Sequence, residues 1–133
     1  VQVDGSSAGI SDDAPPLAKA LMKEEITEVP DEVLTTLVEN YPLLFYAGNM
    51  DGSACNHIGI SRVVENIEWH GKAAYNSAER GVWRFDNKVA GFVTSHGHLT
   101  FAVVTNSGHL VPTDQPAHAL DMVTRFVTGE SFY

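Results

Sequence analysis

"PLLFYAGNMDGSACNHIGISRVVENIEW", residues 42–69, reads as a strand, a short loop and a helix in immediate succession. The apolar run from Pro42 to Tyr46 is too short for an ordinary helix, and Pro42 and Gly48 bound its bulky residues, which marks a buried strand. Ile60, Val63, Val64 and Ile67 then recur at helical spacing, which predicts a helix with one apolar face packed on the sheet. Asp51 falls just past the strand's carboxyl end. In an open α/β sheet that edge is where ligands and catalytic groups collect, because loops there vary while the sheet holds them in place. An Asp before Gly is equally a common turn element, so position by itself leaves Asp51 between a functional and a structural role.

The same reading extends outward in both directions. Upstream, "PDEVLTTLVEN" at 30–40 starts on Pro30 and Asp31 and carries a stripe of Val33, Leu34, Leu37 and Val38, which predicts a helix leading into the strand. "PPLAKALMKEE" at 15–25 predicts another, while residues 1–14, rich in Gly, Ser and Asp, predict a loose segment ahead of a single domain over 15–133. Downstream come a short helix in "GKAAYNSAERG" and two strands, "VWRF" and "KVAGFVTSH", joined through Asp86-Asn87. A second strong strand, "HLTFAVVTN", alternates Leu99, Phe101 and Val103 with Thr100 and Ala102. A loop, "SGHLVPTDQP", and a last helix with Ala119, Met122, Val123 and Phe126 on its apolar side complete an α/β pattern.

Composition narrows the function classes. A chain of 133 residues with 44% hydrophobic content can bury one core. Its net charge of −9, from 17 acids against 8 bases with no basic cluster, disfavours nucleic acid as a partner. No apolar stretch is long enough to span a membrane, and the polar first residues lack the apolar core of a signal peptide. Cys55 is the only cysteine, so it is either a free thiol or half of a bridge to another chain. No Asn is followed two places on by Ser or Thr, which leaves no acceptor for N-glycosylation.

Several residues could carry chemistry. His109 sits beyond the second strong strand as Asp51 sits beyond the first, so the two loops could join a carboxylate to an imidazole acting as general base. "GSSAG" at 5–9 matches G-x-S-x-G around Ser7, but it lacks the strand before and the helix after that a nucleophile elbow needs, and it reads as a flexible loop. His96 and His98 form an H-x-H pair broken by Gly97, which reads as a turn rather than a zinc site. His57, His70 and His118 have no ligand spacing, and no metal is expected. Asp121 and Arg125 form an ordinary i, i+4 helix pair.

Taken together, "LLFYAGNMDGSACNHIG", "VAGFVTSHGHLTFAVV" and "SGHLVPTDQPAHALDMVTRFVTG" resemble the C-terminal part of the serine carboxypeptidases, over about residues 30 to 129. The intervening "IEWHGKAAYNSAERGVW" is similar to the vitellogenic-like branch, and the Gly-His-x-Val-Pro-x-Asp-x-Pro string at 108–116 is the most specific piece. The resemblance implies the last sheet strands and flanking helices of an α/β-hydrolase fold, with no cofactor. It carries the triad acid onto Asp51 and the triad histidine onto His109. It carries substrate contact onto Cys55 and onto Leu110, where the family commonly has Met. The family often has Asp-x-x-Cys-Asn, whereas three residues separate Asp51 from Cys55 here.

The resemblance further implies a peptide substrate and a lysosomal, vacuolar or secreted setting. The nucleophile elbow and the oxyanion donors are expected on an N-terminal, large chain of the same enzyme. Without that partner the chain is expected to be inactive and to form a homo-oligomer. The alternative from another class is a non-catalytic binding or protective protein on the hydrolase scaffold.

Overall fold

The computed structural model describes residues 31–52 and 55–133. The loose segment 1–14, Ser7 with its Gly/Ser surroundings, and the predicted helix at 15–25 lie outside the described residues. Asp31–Tyr133 forms a compact unit. Its elements in chain order are α1 (Asp31–Asn40), β1 (Leu43–Gly48), α2 (His57–Asn66), α3 (Lys72–Asn76), β2 (Gly81–Phe85), β3 (Lys88–His96), β4 (Leu99–Val104), α4 (Val111–Asp114) and α5 (Pro116–Thr128).

The four strands form one mixed sheet in the order β1-β4-β3-β2. β1 and β4 run parallel, from Leu43 opposite Leu99 to Gly48 opposite Val104, while β3 pairs antiparallel with both β4 and β2. Turn chemistry sets the two hairpins. Asp86 and Asn87 both adopt positive φ, the geometry a two-residue hairpin matched to strand twist requires, and Gly97 does the same between β3 and β4.

β4 is buried along its whole length, because helices cover both faces of the sheet. Leu99, Phe101 and Val103 pack with Val38, Val64, Ile67, Trp69 and Tyr75 on one side. Ala102 and Val104 pack with Trp83, Val93, Val111, Ala119 and Met122 on the other. This is the two-residue alternation of a strand between two apolar layers. The buried Thr100 is satisfied by Ser95, hydroxyl to hydroxyl at 2.8 Å.

Four features depart from the sequence reading. α2 stops at Asn66 rather than continuing to Trp69. Ile67 has an extended ψ of 124° and reaches the core from outside the helix, while Val63, expected on the packed face, is exposed. The stretch 107–116 is not all loop: Val111 and Pro112 form the start of a four-residue helix, and the Val111 side chain is buried in the core. α5 accordingly starts at Pro116, and it ends on Gly129, whose φ of 74° is the left-handed cap that lets the Glu130 amide reach the Arg125 carbonyl. Asp121 does more than pair with Arg125: its Oδ2 also accepts from Nε1 of the fully buried Trp83 at 2.8 Å, which ties β2 to α5.

Candidate active site

Parallel pairing brings the carboxyl ends of β1 and β4 level, and the loops that leave them are bonded to each other. The Asn49 amide donates to the Val104 carbonyl at 2.9 Å, and the Met50 amide donates to the Ser107 carbonyl at 2.8 Å. Gly48 allows this crossing. A Cβ there would sit 2.2 Å from the carbonyl oxygens of both Ser107 and Gly108, so any larger residue would push the two segments apart.

Beyond the crossing, the Asp51 side chain is turned inward and the His109 ring outward, with relative exposures of 3% and 57%. Asp51 Oδ2 accepts from His109 Nδ1 at 2.8 Å and from the Cys55 amide at 3.2 Å. An imidazole that donates from Nδ1 to a carboxylate is held in the tautomer whose other nitrogen, Nε2, carries the lone pair. A buried acid orienting an exposed imidazole is the arrangement general-base chemistry needs: the ring can take up a proton on its open side while the carboxylate stabilises the resulting cation.

The His109 loop has an anchor that spacing did not disclose. The Gly108 amide donates to Asp114 Oδ2 at 2.7 Å, and Gln115 Nε2 donates to the carbonyl of Asn106, itself at a φ of 57°. The string Gly108-His109-Leu110-Val111-Pro112-Thr113-Asp114 therefore works as a unit. Val111 is sunk in the core, Pro112 opens the helical turn, and Asp114 folds back onto the amide that precedes the histidine. A carboxylate six places after Gly108, just past a proline-opened turn, was the signal available in the sequence.

The other two expected site residues, Cys55 and Leu110, lie beside the pair, whereas the histidines at 70, 96 and 98 are dispersed. Cys55 is exposed, with its amide on Asp51 and its thiol facing the same loop cluster. Leu110 is exposed beside His109. His96 ends β3 and His98 lies past Gly97, where its Nδ1 donates to the Val38 carbonyl at 3.0 Å, so the H-x-H pair is a turn. His70 caps Glu39: its amide donates to Oε1 at 2.8 Å and its ring pairs with Oε2. Those bonds, the amide first, hold the Glu39 carboxyl below its usual range. Burial pushes the Tyr75 phenol up. A cavity of about 620 Å³ lies between α2, α3 and the sheet, lined by His57, Ser61, Tyr75, Arg80 and Phe101 among others, and includes neither Asp51 nor His109.

The serine carboxypeptidase family profile matches residues 10–129. The chain belongs to that family. A pheromone-processing carboxypeptidase KEX1 from Phytophthora infestans is 37% identical over 116 residues, which cover 86% of this chain and 19% of the relative. Carboxypeptidase Y from Candida albicans is 38% identical over 101 residues, covering 76% and 18%. Among solved structures, KEX1(Δ)P, a prohormone-processing carboxypeptidase from Saccharomyces cerevisiae, superposes with a TM-score of 0.65 at 25% identity, over 74% of this chain and 22% of that one. The mixed sheet and its helices are thus part of an α/β-hydrolase fold. The chain spans about a fifth of the length of these curated relatives.

Proposed function

We propose that this chain supplies the acid and the base of a serine carboxypeptidase catalytic triad, Asp51 and His109, and that the nucleophile is borne on an N-terminal portion with which it assembles. The observation that carries the reading is the 2.8 Å bond from the exposed His109 ring to the buried Asp51 carboxylate. In the assembled enzyme a serine would attack the C-terminal peptide bond. His109 Nε2 would take the hydroxyl proton and return it to the leaving amino acid, and Asp51 would hold the tautomer and stabilise the imidazolium. Cys55 and Leu110, flanking the pair, would contact the substrate's terminal residue. The setting would be lysosomal, vacuolar or secreted, which accords with 32% identity to a venom serine carboxypeptidase of Apis mellifera.

Two surface features support the need for a partner. β1 is as apolar as β4, yet among the described residues it has a strand neighbour on one side only and remains half-exposed along Leu43–Tyr46. Parallel strands are ordinarily covered on all sides. The outer halves of the helix stripes, Val33 and Leu37 on α1 and Val123 on α5, are likewise exposed. Such surfaces recruit other chains, so the isolated chain would self-associate.

Reconstitution tests the reading. The chain alone should release no amino acid from a blocked dipeptide and take up no fluorophosphonate label, and it should sediment as an oligomer. Adding the N-terminal portion should restore turnover and labelling on that portion's serine, and His109→Ala should abolish turnover while assembly persists. Labelling of Ser7 in the isolated chain would overturn the division of the triad. Assembly without turnover would instead favour the binding or protective role.

A further inference from the structure

We propose that Asp51, Cys55 and His109 also form a zinc site, whose occupation blocks the proton chemistry of the histidine. The proposal shares the Asp51–His109 contact with the proposed function and gives Cys55, there a substrate contact, a second role as ligand; it requires neither a nucleophile nor a substrate. One carboxylate oxygen of Asp51, the thiol sulfur of Cys55 and one ring nitrogen of His109 all lie within 4.8 Å of one another. Carboxylate, thiolate and imidazole are the three side-chain donors zinc takes, with bonds of about 2.0–2.3 Å, which puts tetrahedral donors about 3.3–3.7 Å apart. Closing the cluster to that spacing asks for about an ångström of movement, and the two groups that would move, Cys55 and His109, are the exposed ones.

The surroundings favour the ion in three ways. Asp51 is buried and already oriented by the Cys55 amide, so its carboxylate needs little further ordering. The open side left by His109 gives room for water or another ligand at the fourth position, as in zinc sites that are not closed. The chain's net charge of −9 draws cations toward it. Cys55 binds as the thiolate and releases its proton to solvent, with no change of oxidation state. A neutral imidazole has a single ring-nitrogen lone pair, and once that pair is given to zinc none remains for a proton.

Cobalt(II) titration of the 133-residue chain, followed by zinc displacement, tests the site. The expected result is one cobalt per chain with a thiolate-to-cobalt charge-transfer band, lost on adding zinc. Cys55→Ala should abolish the band, and His109→Ala should weaken binding by at least about tenfold. His70→Ala, at the separate Glu39 pair, should change neither. Both altered site groups are exposed, so the variants should keep the parent far-ultraviolet spectrum. Zinc should also slow alkylation of Cys55 in the unaltered protein, a readout independent of any substitution. Absence of the band, unslowed alkylation, or a loss under tenfold in His109→Ala would overturn the proposal. Each of those results leaves the reconstitution experiment free to succeed, and failed reconstitution leaves the metal titration unaffected.

Discussion

Replacing Gly48 with alanine should force apart the two segments that carry Asp51 and His109. The added methyl would stand 2.2 Å from the carbonyl oxygens of Ser107 and Gly108 and 2.6 Å from the Ser107 carbonyl carbon. That is about 1 Å inside ordinary van der Waals contact, and the atoms met are backbone rather than the ends of flexible side chains. Overpacking of this kind costs about 1–3 kcal/mol. Separation of the segments would also strain the Asn49–Val104 and Met50–Ser107 bonds, each contributing about 1 kcal/mol. The combined destabilisation is on the order of 2–4 kcal/mol, or roughly 8–20 °C in Tm for a domain of this size. Gly52→Ala is the matched control, because a Cβ there meets nothing within 4 Å. Thermal unfolding by circular dichroism compares the two variants, and the His109 ring proton in the NMR spectrum reports on the bond to Asp51. A Gly48→Ala protein that melts within about 2 °C of the Gly52→Ala protein, with the ring proton unchanged, would refute the claim that this glycine sets the spacing of the pair.

Asp114→Ala removes the acceptor for the Gly108 amide; in the reconstituted enzyme kcat should fall about three- to tenfold with KM unchanged, and Asp114→Asn, which keeps an acceptor oxygen, should recover most of it. An unaltered kcat in Asp114→Ala would show that the clamp does not position the histidine. At the other end of the sheet, bonds from His70 hold the Glu39 carboxyl below its usual range, so the stability they contribute is fully present above the unfolded-state value of 4.5 and is lost as pH falls through the lower folded-state value. The melting-temperature difference between the parent and Glu39→Gln should therefore close as pH is lowered from about 5 toward 3; a difference that stays constant over that range would rule the linkage out.

Local chemistry made much of the molecule legible in the sequence. Periodicity located the strand at 42–47, the alternating strand at 98–106 and the helices on either side, because side-chain direction repeats with backbone geometry wherever an element is regular. Asp86-Asn87 announced its hairpin through residues that tolerate positive φ. The same local signals placed Asp51 and His109 just past the ends of two strands, and the Gly-His-x-Val-Pro-x-Asp-x-Pro string pointed to the family.

Which elements meet was a matter for tertiary structure. Asp51 and His109 are 58 residues apart, and they touch because β1 and β4 pair in parallel with Gly48 level with Val104, a register that no single segment encodes. Asp114 gains its role only when a turn opened by Pro112 folds it back on Gly108, and Asp121 gains one only when β2 brings Trp83 to α5. The exposed halves of α1, α2 and α5 had the same apolar spacing as the buried halves, so spacing could not tell Val63 from Val64. Propensity and periodicity belong to a few neighbouring residues, whereas burial and hydrogen-bond partners depend on what the rest of the chain brings alongside.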